Sequence, residues 1–532
     1  MSDTREAMIA GATERVGRYR WMIVALLFAA TVINYIDRQM IGLLKPTLMA
    51  DPSLAMDEIA YGNIVVWFTI AYAVGYLGFG KIVDLIGARL GYAAAVVIWT
   101  IAHVAHGGAY SVSQFALARF GLGIGESGNF PAGVKSVATW FPARERAFAV
   151  GLFNAGTNVG AIATPLIVYV MMAMMGFSWR AVFVATGIFG VLWLIAWLAI
   201  YRDDPAKHPR VGEAELAHIT SDPADPETRT PGMWVRLLAQ KETWAFALGK
   251  FFIDPVWWFY LFWLPGYLGK QYNLDLANWG SLTSFTAVLA IGAIYLISDV
   301  GSIAGGWLSG RFMKSGMSAS KARKLTMLVC AFCVLPIVFA TSVPNLWVSV
   351  IIIGIAAAAH QGFSANLFTV PSDTYPRFAV GAVIGIGGTV GAIGGALSAK
   401  MTGYFLSLPT ITLFGFTMQN YTPIFLLAGG AYFVALLAIH LLSPRFERVE
   451  SFKAKTPWAV LVAVLGGVAA AVLFLASGKP TASGCVPVWT GPVGDGTCLS
   501  SGTFWGLLIA CVVVMVAGIF ANVLVGDKAR TA

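Results

Sequence analysis

The sequence predicts an all-α integral membrane protein, and three features of the chain lead to that prediction. Of its 532 residues, 58% are hydrophobic and only 11% are charged, and the mean hydropathy is +0.74. Fourteen apolar runs are long enough to cross a bilayer as helices. Two short landmarks recur about 230 residues apart. We therefore expect two six-helix repeats followed by two extra C-terminal transmembrane helices.

The apolar runs follow one another through short polar connections, and a charged, Pro-rich stretch separates the sixth run from the seventh. The predicted helices are 21–44, 60–83, 90–107, 112–137, 147–173, 178–201, 243–268, 281–310, 324–342, 346–369, 379–405, 421–442, 457–477 and 503–525. The predicted divisions are a cytoplasmic N-terminus (1–20), a six-helix bundle (21–201), a cytoplasmic linker (202–242), a second six-helix bundle (243–443), a second cytoplasmic linker (444–456), a two-helix hairpin (457–525) and a cytoplasmic tail (526–532).

The duplication is supported by two independent pairs of landmarks. A Gly- and Arg-containing run ends the second helix at Arg89, and a similar run ends the eighth at Arg311. An Ala-Val-Gly triplet opens the fifth helix at Ala149, and the same triplet opens the eleventh at Ala379. Parallel six-helix halves around a site at mid-membrane are typical of secondary transporters that alternate between two access states.

Lysine and arginine are distributed unequally between the two sides of the predicted helices. If the N-terminus is inside, the outside segments hold only Lys45, Arg180, Lys270, Lys400 and Lys479. The positive-inside rule then predicts that both termini are cytoplasmic. Because the net charge of +9 falls in these membrane-flanking segments, it does not indicate a nucleic-acid partner.

The fourth helix carries two charges inside an apolar run from Val112 to Val134. Arg119 and Glu126 lie seven residues apart, so both project from one face of the helix. Each charge costs at least about 2.5–3.5 kcal/mol at the bilayer centre, and such residues usually mark an ion or substrate pathway. The glycines between Gly121 and Gly128 allow a neighbouring helix to approach closely. The alternative is an ion pair that only locks helices together.

The first helix carries a second charged group in the run Asn34–Gln39. Arg38 offers two parallel donors that match a carboxylate, and Asp37 is a candidate titrating acid. The alternative is an internal salt bridge, for example between Asp37 and Arg119. Glu126 has no cationic neighbour within four residues on its own helix, so it suits a proton carrier. The alternative for Glu126 is a neutral, hydrogen-bonded packing role.

The seventh helix and three others add aromatic and neutral polar groups. The run from Asp254 to Pro265 holds two prolines, which bend a helix, and aromatic rings that can stack on a sugar. Membrane-facing aromatic bulk is the alternative for any single Trp. The polar candidates on the fifth, eighth and tenth helices are Asn154, Thr157, Asn158, Asp299, Ser302, His360, Gln361, Ser364, Asn366 and Thr369. Each of them can equally join two helices.

The sequence holds no metal-ligand cluster, phosphate loop or nucleophile elbow, so we expect neither an enzyme nor a cofactor or metal. Cys330 and Cys333 lie in an apolar helix and are interpreted as packing residues. Cys485 and Cys498 lie in the outside loop of the C-terminal hairpin, where a disulfide is expected in an oxidising periplasm. Two free thiols are the alternative.

Taken together, these motifs resemble the anion:cation symporter family of the major facilitator superfamily, and within it the bacterial hexuronate transporters. The resemblance covers about residues 20–445 and is carried by the charged runs of the first and fourth helices, Trp140–Arg146 and the aromatic run of the seventh helix. It implies a major facilitator fold. The second-to-third-helix loop also matches the superfamily's gating motif, whose positions here are Gly80, Asp84, Gly87 and Arg89.

The resemblance also implies roles for individual residues. Asp37, Arg119 and Glu126 would form the proton-coupling network, and Arg38 would bind the substrate carboxylate. Thr389 stands where relatives that carry sugar acids have Asn. The expected substrate-binding residues are Arg38, Tyr35, Tyr72, Asn158, Trp258, Ser364, Asn366 and Thr389.

The expected function is a proton-coupled symporter that imports a hexuronate, such as glucuronate or galacturonate, by alternating access across the bacterial inner membrane. Its partners would be a small organic anion, a proton and the lipid bilayer, with no nucleic acid, and it would work as a monomer. One alternative is the same fold carrying an aldonate, tartrate or an aromatic carboxylate. The other is a non-transporting membrane sensor or scaffold, against which the intramembrane charge of Arg38 argues.

Overall fold

The computed structural model describes residues 17–221, 233–408, 410–413, 416–449, 485–488 and 497–500, and these are almost wholly helical. The helices are α1 (Tyr19–Ala50), α2 (Glu58–Val83), α3 (Leu85–Gly108), α4 (Val112–Glu126), α5 (Asn129–Trp140), α6 (Ala143–Tyr169), α7 (Trp179–Ile200), α8 (Glu213–Ile219), α9 (Met233–Leu238), α10 (Lys241–Phe262), α11 (Leu264–Tyr272), α12 (Leu282–Lys314), α13 (Ala319–Val334), α14 (Leu346–Thr374), α15 (Arg377–Leu406) and α16 (Thr422–Leu442). The two antiparallel hairpins pair β1 (Thr410–Leu413) with β2 (Phe416–Gln419), and β3 (Cys485–Val488) with β4 (Thr497–Ser500).

Ten helices of the described residues are long and apolar enough to cross a membrane. Each of the twelve runs predicted between residues 21 and 442 is found as one helix or as two consecutive helices; the run 112–137, for example, is α4 followed by α5. The predicted helices 457–477 and 503–525 lie outside the described residues, so the count of fourteen stays a prediction.

Gly87 forms the turn between α2 and α3, in the first residues of α3. Its φ of +85° lies in the left-handed region that favours glycine. A Cβ at this position would lie 2.6 Å from an Oδ2 of Asp203, so a side chain would also strike the start of the linker. The chain can therefore reverse direction here while the linker stays packed against the turn.

The glycines of α4 allow the close helix packing that the sequence predicts. A Cβ on Gly123 would lie 2.4 Å from the carbonyl oxygen of Phe68 in α2, and one on Gly125 would lie 2.4 Å from the backbone nitrogen of Trp99 in α3. The backbones of α2, α3 and α4 thus touch without intervening side chains. This close approach confirms the prediction and brings the charged residues of α4 deep into the bundle.

The helices before the 202–242 linker are called here the first half, and the helices after it the second half. The main contacts between the two halves are those of α2 with α15, of α6 with α12, and of α1 with α10 and α11. Gly62 of α2 approaches Gly403 of α15 so closely that an added Cβ would lie 3.0 Å from the opposing Cα. At the same end, Tyr61 donates a hydrogen bond to the carbonyl of Phe262 at 2.6 Å, and Lys400 donates to Asn63 at 3.0 Å. We call this end, which also holds the loops around residues 51–57 and 273–281, the closed end.

Candidate functional site

The site begins with an ion pair that joins α1 to α4. Arg38 donates from Nε to Oε2 of Glu126 at 2.7 Å and from Nη2 to Asn34 at 3.2 Å. The side chains of Arg38 and Glu126 are only 5% and 0% exposed, so the bridge is fully enclosed in the bundle. The sequence could not reveal this partner of Glu126, because only residues on its own helix can be aligned with it by spacing. The attraction within the pair is strong because the low-dielectric interior screens it little, and loss of one partner would leave the other as an unpaired buried charge.

Four aromatic rings surround the Arg38 guanidinium. Its central carbon lies 4.7 Å from the ring centroid of Tyr72, 4.9 Å from Tyr35, 5.6 Å from Phe68 and 5.9 Å from Trp258. All of these distances are within the range of cation–π attraction. The structure therefore brings four of the predicted substrate-binding residues together, and Trp258 reaches the group from the second half. Phe68 was not predicted, because a single Phe in an apolar run gives no signal.

Arg119 lies beside this group but makes a different bond. Its Nη2 donates to the backbone carbonyl of Arg38 at 3.0 Å, and its guanidinium lies 5.3 Å from the Phe68 ring. The alternative salt bridge between Asp37 and Arg119 is not formed. Asp37 and Glu126 both lie within electrostatic range of Arg119. The three residues predicted for proton coupling thus form one buried cluster around Arg38.

In the described part of the chain, Asp37 lies beside His103. The histidine Nε2 lies 3.3 Å from Oδ1 of Asp37 and 2.8 Å from Oγ1 of Thr186, and the imidazole is fully buried. The sequence analysis missed this residue. A signal was present, because an ionisable side chain inside a spanning run is a functional candidate by default.

Asn158 is the point at which α6 meets α14. Its Oδ1 accepts a hydrogen bond from Gln361 at 3.4 Å, so two of the predicted polar candidates meet across the two halves. Since each belongs to a different half, this bond changes whenever the halves rotate against each other. Asn158 is therefore in a place where a ligand between the halves can be bonded.

Three other predicted substrate-binding residues make contacts of a different kind. Asn366 donates from Nδ2 to the carbonyls of Gly305 at 3.1 Å and Gly362 at 2.9 Å, which ties α14 to α12. Thr389 donates to a carbonyl of its own helix at 3.0 Å, and Ser364 is buried on α14. The contacts of Asn366 match the helix-joining alternative, the Thr389 hydroxyl bonds within α15, and none of these contacts leads to Arg38.

A further charged pair lies on α10. Lys250 and Asp254 are one helical turn apart and meet at 2.7 Å, with side chains 10% and 14% exposed. The Lys250 ammonium also lies 4.3 Å from the Phe368 ring of α14, and a Cβ on Gly391 of α15 would lie 2.2 Å from Oδ2 of Asp254. Trp258 follows one turn later on the same face. The sequence analysis considered only the aromatic residues and prolines of this helix and missed Lys250. A signal was present, because Lys250 and Asp254 are four residues apart and therefore lie on the same helix face.

The neighbouring Trp257 has a structural role instead. Its ring stacks on His360 with centroids 5.2 Å apart and an interplanar angle of 8°, and His360 shares a 2.8 Å hydrogen bond with Tyr432. Trp257 therefore joins α10 to α14 and α16. Trp257 is buried between these helices, so the membrane-facing alternative does not describe it, and the adjacent Trp258 contacts the arginine.

The gating-motif residues lie at the α2–α3 turn. The backbone N–H of Arg89 donates to Oδ1 of Asp203 at 3.0 Å, and its Nη2 donates to the carbonyl of Leu198 at 2.6 Å. Arg89 thus fastens the start of α3 to the end of α7 and to the linker. Gly80 has open space where a Cβ would be, and the side chain of Asp84 lies outside what the structure describes. The gating role of this motif stays a prediction.

The register of the second hairpin places Cys485 opposite Ser500 and Cys498 opposite Pro487. The side chains of the two cysteines lie outside the described residues, and their disulfide stays a prediction. Within the described ranges, no three His, Cys, Asp or Glu side chains come together to hold a metal ion.

A model of the Major Facilitator Superfamily matches residues 27–399. Among characterised proteins, the chain is 29% identical to the "Hexuronate transporter" of Escherichia coli (strain K12), over 72% of this chain and 87% of that protein. It is 32% identical to the "Probable L-galactonate transporter" of the same strain, over 60% of this chain and 68% of that protein. A solved bacterial homolog of the human lysosomal transporter Spinster, inward-facing and unoccupied, has a similar fold, with a TM-score of 0.56, 18% identity, and coverage of 82% of this chain and 97% of the other.

Proposed function

Because the chain belongs to the Major Facilitator Superfamily, we propose that it is a secondary transporter that imports a sugar-acid anion together with a proton. A hexuronate such as glucuronate or galacturonate is the first candidate for that anion. The names of the two relatives, one for hexuronates and one for L-galactonate, support a sugar acid as the substrate class. The protein is a multi-pass membrane protein, and we place it in a bacterial inner membrane as a monomer with both termini in the cytoplasm.

The observation that carries this proposal is the 2.7 Å bond between Arg38 and Glu126. A carboxylate of the protein occupies the donor that a substrate carboxylate requires. When Glu126 takes up a proton, its negative charge is lost and Arg38 becomes available to the substrate. The Glu126 carboxylate and the substrate carboxylate compete for one guanidinium. Binding of a proton to Glu126 therefore favours binding of the substrate anion, and binding of the anion favours binding of the proton.

The rings around Arg38 support a ligand that has one charged end and an extended body. Tyr35, Tyr72 and Trp258 present flat apolar faces next to the guanidinium, and a sugar ring can stack on such a face while its hydroxyls bond to the polar edges. Asn158 and Gln361 supply further hydrogen-bonding groups between the halves. Because Trp258 belongs to the second half, the substrate would contact both halves and would be carried as they rock.

The contacts at the closed end support the assignment of the structure to a stage of the transport cycle in which the outer entrance is shut. With cytoplasmic termini, that end faces outward, and the hydrogen bonds of Tyr61 and Lys400 hold the outer entrance shut. Glu126 bonds to Arg38 at this stage, so the substrate that was carried inward is displaced and the proton has left. The inward proton gradient then drives net uptake, and no covalent chemistry is required.

The four rings also favour a second candidate, in which the same machine carries an aromatic carboxylate. Stacking on Phe68, Tyr72 and Trp258 would suit a planar ring as well as a sugar. An aromatic substrate would need fewer hydroxyl partners, whereas a sugar acid needs polar groups such as Asn158 in reach. The two candidates therefore differ in which anions compete.

The test is counterflow and gradient-driven uptake with the full chain in proteoliposomes. Labelled glucuronate, galacturonate, galactonate, galactarate and benzoate are offered in turn, with protein-free liposomes as the control. We expect exchange of a hexuronate, and accumulation when the outside is acidic that a protonophore abolishes. If benzoate were the only anion exchanged, the substrate class would be aromatic carboxylates and not sugar acids. Exchange of an anion without any response to a pH gradient would exclude proton coupling, and exchange of none would favour the sensor alternative.

A further inference from the structure

The buried imidazole of His103 lies between two helices of the first half and contacts a residue on each. Its Nε2 is 2.8 Å from Oγ1 of Thr186 on α7 and 3.3 Å from Oδ1 of Asp37 on α1. None of the described atoms of this histidine is exposed to solvent. The candidate site places Asp37 in the coupling cluster and assigns nothing to His103.

The neighbouring bonds identify which ring nitrogen carries the proton. The hydroxyl of Thr186 lies 2.7 Å from the carbonyl oxygen of Val182, and a carbonyl can only accept, so the hydroxyl hydrogen points there. The Thr186 oxygen must then accept from His103. Nε2 of the neutral imidazole therefore carries the hydrogen, and Nδ1, which has no partner in the described part of the chain, is left as the acceptor nitrogen.

Asp37 lies within reach of this N–H but does not receive it. Its Oδ1 accepts no hydrogen bond within the described residues, although His103 Nε2 is only 3.3 Å away. Arg38 forms its salt bridge with Glu126 and not with Asp37. A small rotation of the imidazole is enough to redirect the N–H from Thr186 to the Asp37 carboxylate.

The charged and titratable groups that face this pair come from each helix packed against it. Arg119 and Glu126 of α4 lie within electrostatic range of Asp37, and Arg119 also acts on His103. His106 lies one turn further along α3, with its ring centroid 6.3 Å from that of His103. Arg38 follows Asp37 on α1 but bonds to Glu126.

We propose that His103 is a positioning residue for Asp37, whose N–H alternates between the Thr186 hydroxyl and the Asp37 carboxylate as Asp37 loses and gains a proton. This inference rests on the proposed proton coupling. An ionised Asp37 attracts the donor and is stabilised by it, whereas a protonated Asp37 releases it to Thr186. Asp37 takes up and gives off a proton as part of the coupling cluster in which Glu126 carries the transported proton, and the imidazole keeps its own N–H throughout.

The experiment compares pH profiles in proteoliposomes of the full chain with labelled glucuronate, or with whichever labelled sugar acid the wild type exchanges. His103→Phe removes the donor but keeps a ring beside Phe183, whose centroid lies 5.2 Å from that of His103. Without the donor, Asp37 keeps its proton to a higher pH. We expect the external pH of half-maximal proton-driven uptake to rise by about one pH unit, as for loss of one hydrogen bond to a charged group. Counterflow should stay within a few-fold of wild type.

Three controls separate positioning from simple damage to the fold. His106→Phe is matched in chemistry and burial, but His106 bonds through Nδ1 to the Ala102 carbonyl, so its profile should equal that of the wild type. His103→Gln keeps an N–H donor and should restore part of the shift. Asp37→Asn and the double variant with His103→Phe should give the same profile, because His103 acts through Asp37. An unshifted profile for His103→Phe, or additive effects in the double variant, would overturn the inference.

A second variant keeps the inference testable if His103→Phe does not fold. Thr186→Val removes the competing acceptor, so the N–H is left to Asp37 and the uptake profile should move to lower pH, while Thr186→Ser should have no effect. An unchanged profile for Thr186→Val overturns the inference. If the wild type transports but these variants leave its profile unchanged, only the role of His103 is lost. A wild type that exchanges no sugar acid overturns the proposed function and this inference together.

Discussion

At the residue scale, Arg38 is held in one orientation by groups from four helices. Glu126 of α4 and Asn34 of α1 take two of its donors, and the rings of α2 and α10 cover its faces. Such a guanidinium is preorganised, so a carboxylate that replaces Glu126 meets donors already in position. On the proposed function, the planar guanidinium of Arg38 should therefore matter for substrate binding more than its charge alone does.

Arg38→Lys should reduce substrate affinity by at least about tenfold although the charge is kept. A lysine ammonium is a point charge and cannot present two parallel donors to a carboxylate. Affinity can be measured from the concentration dependence of counterflow. Arg323→Lys is the matched control, because Arg323 pairs with Asp373 outside the site and should leave affinity unchanged. Binding by Arg38→Lys within a few-fold of wild type would remove Arg38 from the carboxylate site.

Glu126→Gln should abolish accumulation against a gradient while counterflow is retained. The amide resembles the protonated acid and leaves Arg38 without its competing anion, so substrate can still bind and exchange, but no proton can be carried. Uptake under an imposed pH gradient and counterflow are measured on the same vesicles. Glu213→Gln, on an exposed position of α8, should behave as wild type. Normal accumulation by Glu126→Gln would exclude Glu126 from the coupling step.

At the element scale, α10 combines a bend with a charge pair. Pro255 lies inside this helix and removes one backbone donor, and the helix ends at Phe262 just before the Pro265 turn that opens α11. Lys250 and Asp254 lie in the turns before the bend, and Trp258 in the turn after it. Helix α10 is therefore held by the Lys250–Asp254 pair before Pro255 and by Trp258 after it, while its backbone hydrogen bonding is interrupted between them. This arrangement suits a helix that moves during transport.

Lys250→Met and Asp254→Asn should each lower the thermal midpoint of the detergent-solubilised protein by several degrees, and the double variant should lower it less than either. Removing one partner leaves a mostly buried charge without its counter-ion, whereas removing both leaves none. The midpoints can be measured by a fluorescence-based melting assay. A double variant that is less stable than both single variants would show that the pair stabilises the fold by attraction alone.

Asp51 connects the loop after α1 to the start of α7. Hydrogen bonds from Ser53, Arg180 and Trp179 hold the pKa of its carboxyl well below the ordinary value, against the opposing effect of burial. Because the folded pKa is lowered, the stabilisation is fully present above the unfolded pKa of about 4 and is lost as the pH falls below it.

Asp51→Asn should therefore lower the thermal midpoint at pH 7, and the difference from wild type should shrink as the pH is lowered from 4 towards 3. Melting curves at pH 7, 5 and 3.5 in detergent test this. Asp275→Asn, in an exposed loop, is the control. A difference that grew towards low pH would mean that Asp51 is not held as a carboxylate in the folded protein.

At the scale of the whole molecule, the two halves are in backbone contact at the closed end. Gly62 and Gly403 let α2 and α15 touch, and the bonds of Tyr61 and Lys400 lie beside that crossing. Closure of this end depends on the absence of a side chain at the crossing. In the proposed function the substrate binds between the same halves, so opening and closing of this contact would govern access to it.

Gly62→Leu should prevent full closure and reduce counterflow by at least about tenfold, since a completed cycle requires both access states. Binding of labelled substrate in detergent should be much less affected, because Arg38 is untouched. Gly292→Leu is the matched control, as a Cβ at that position of α12 meets nothing within 4 Å. Full counterflow by Gly62→Leu would mean that the Gly62–Gly403 contact is not required for transport.

The sequence by itself determined the class of protein, the positions of twelve helices and the residues that form the centre of the site. Helix positions are readable because the bilayer requires a run of about 20 apolar residues and leaves little choice of backbone conformation. Arg38, Arg119 and Glu126 were identifiable because a charge in such a run is costly and rare. The extra helices 457–477 and 503–525, predicted from their apolar runs, and the disulfide between Cys485 and Cys498, predicted from the oxidising periplasm, remain predictions.

Only the tertiary structure decided which of these groups meet. The partner of Glu126 is Arg38 and not a residue of its own helix, Asp37 meets His103 instead of Arg119, and Asn366 is taken up by the carbonyls of a helix crossing. Spacing along one helix predicts the face on which a residue lies, but the rotation of each helix against its neighbours depends on the packing of all side chains between them. For that reason a single sequence reveals the members of the site, whereas the hydrogen bonds that give each member its role follow from how the helices pack.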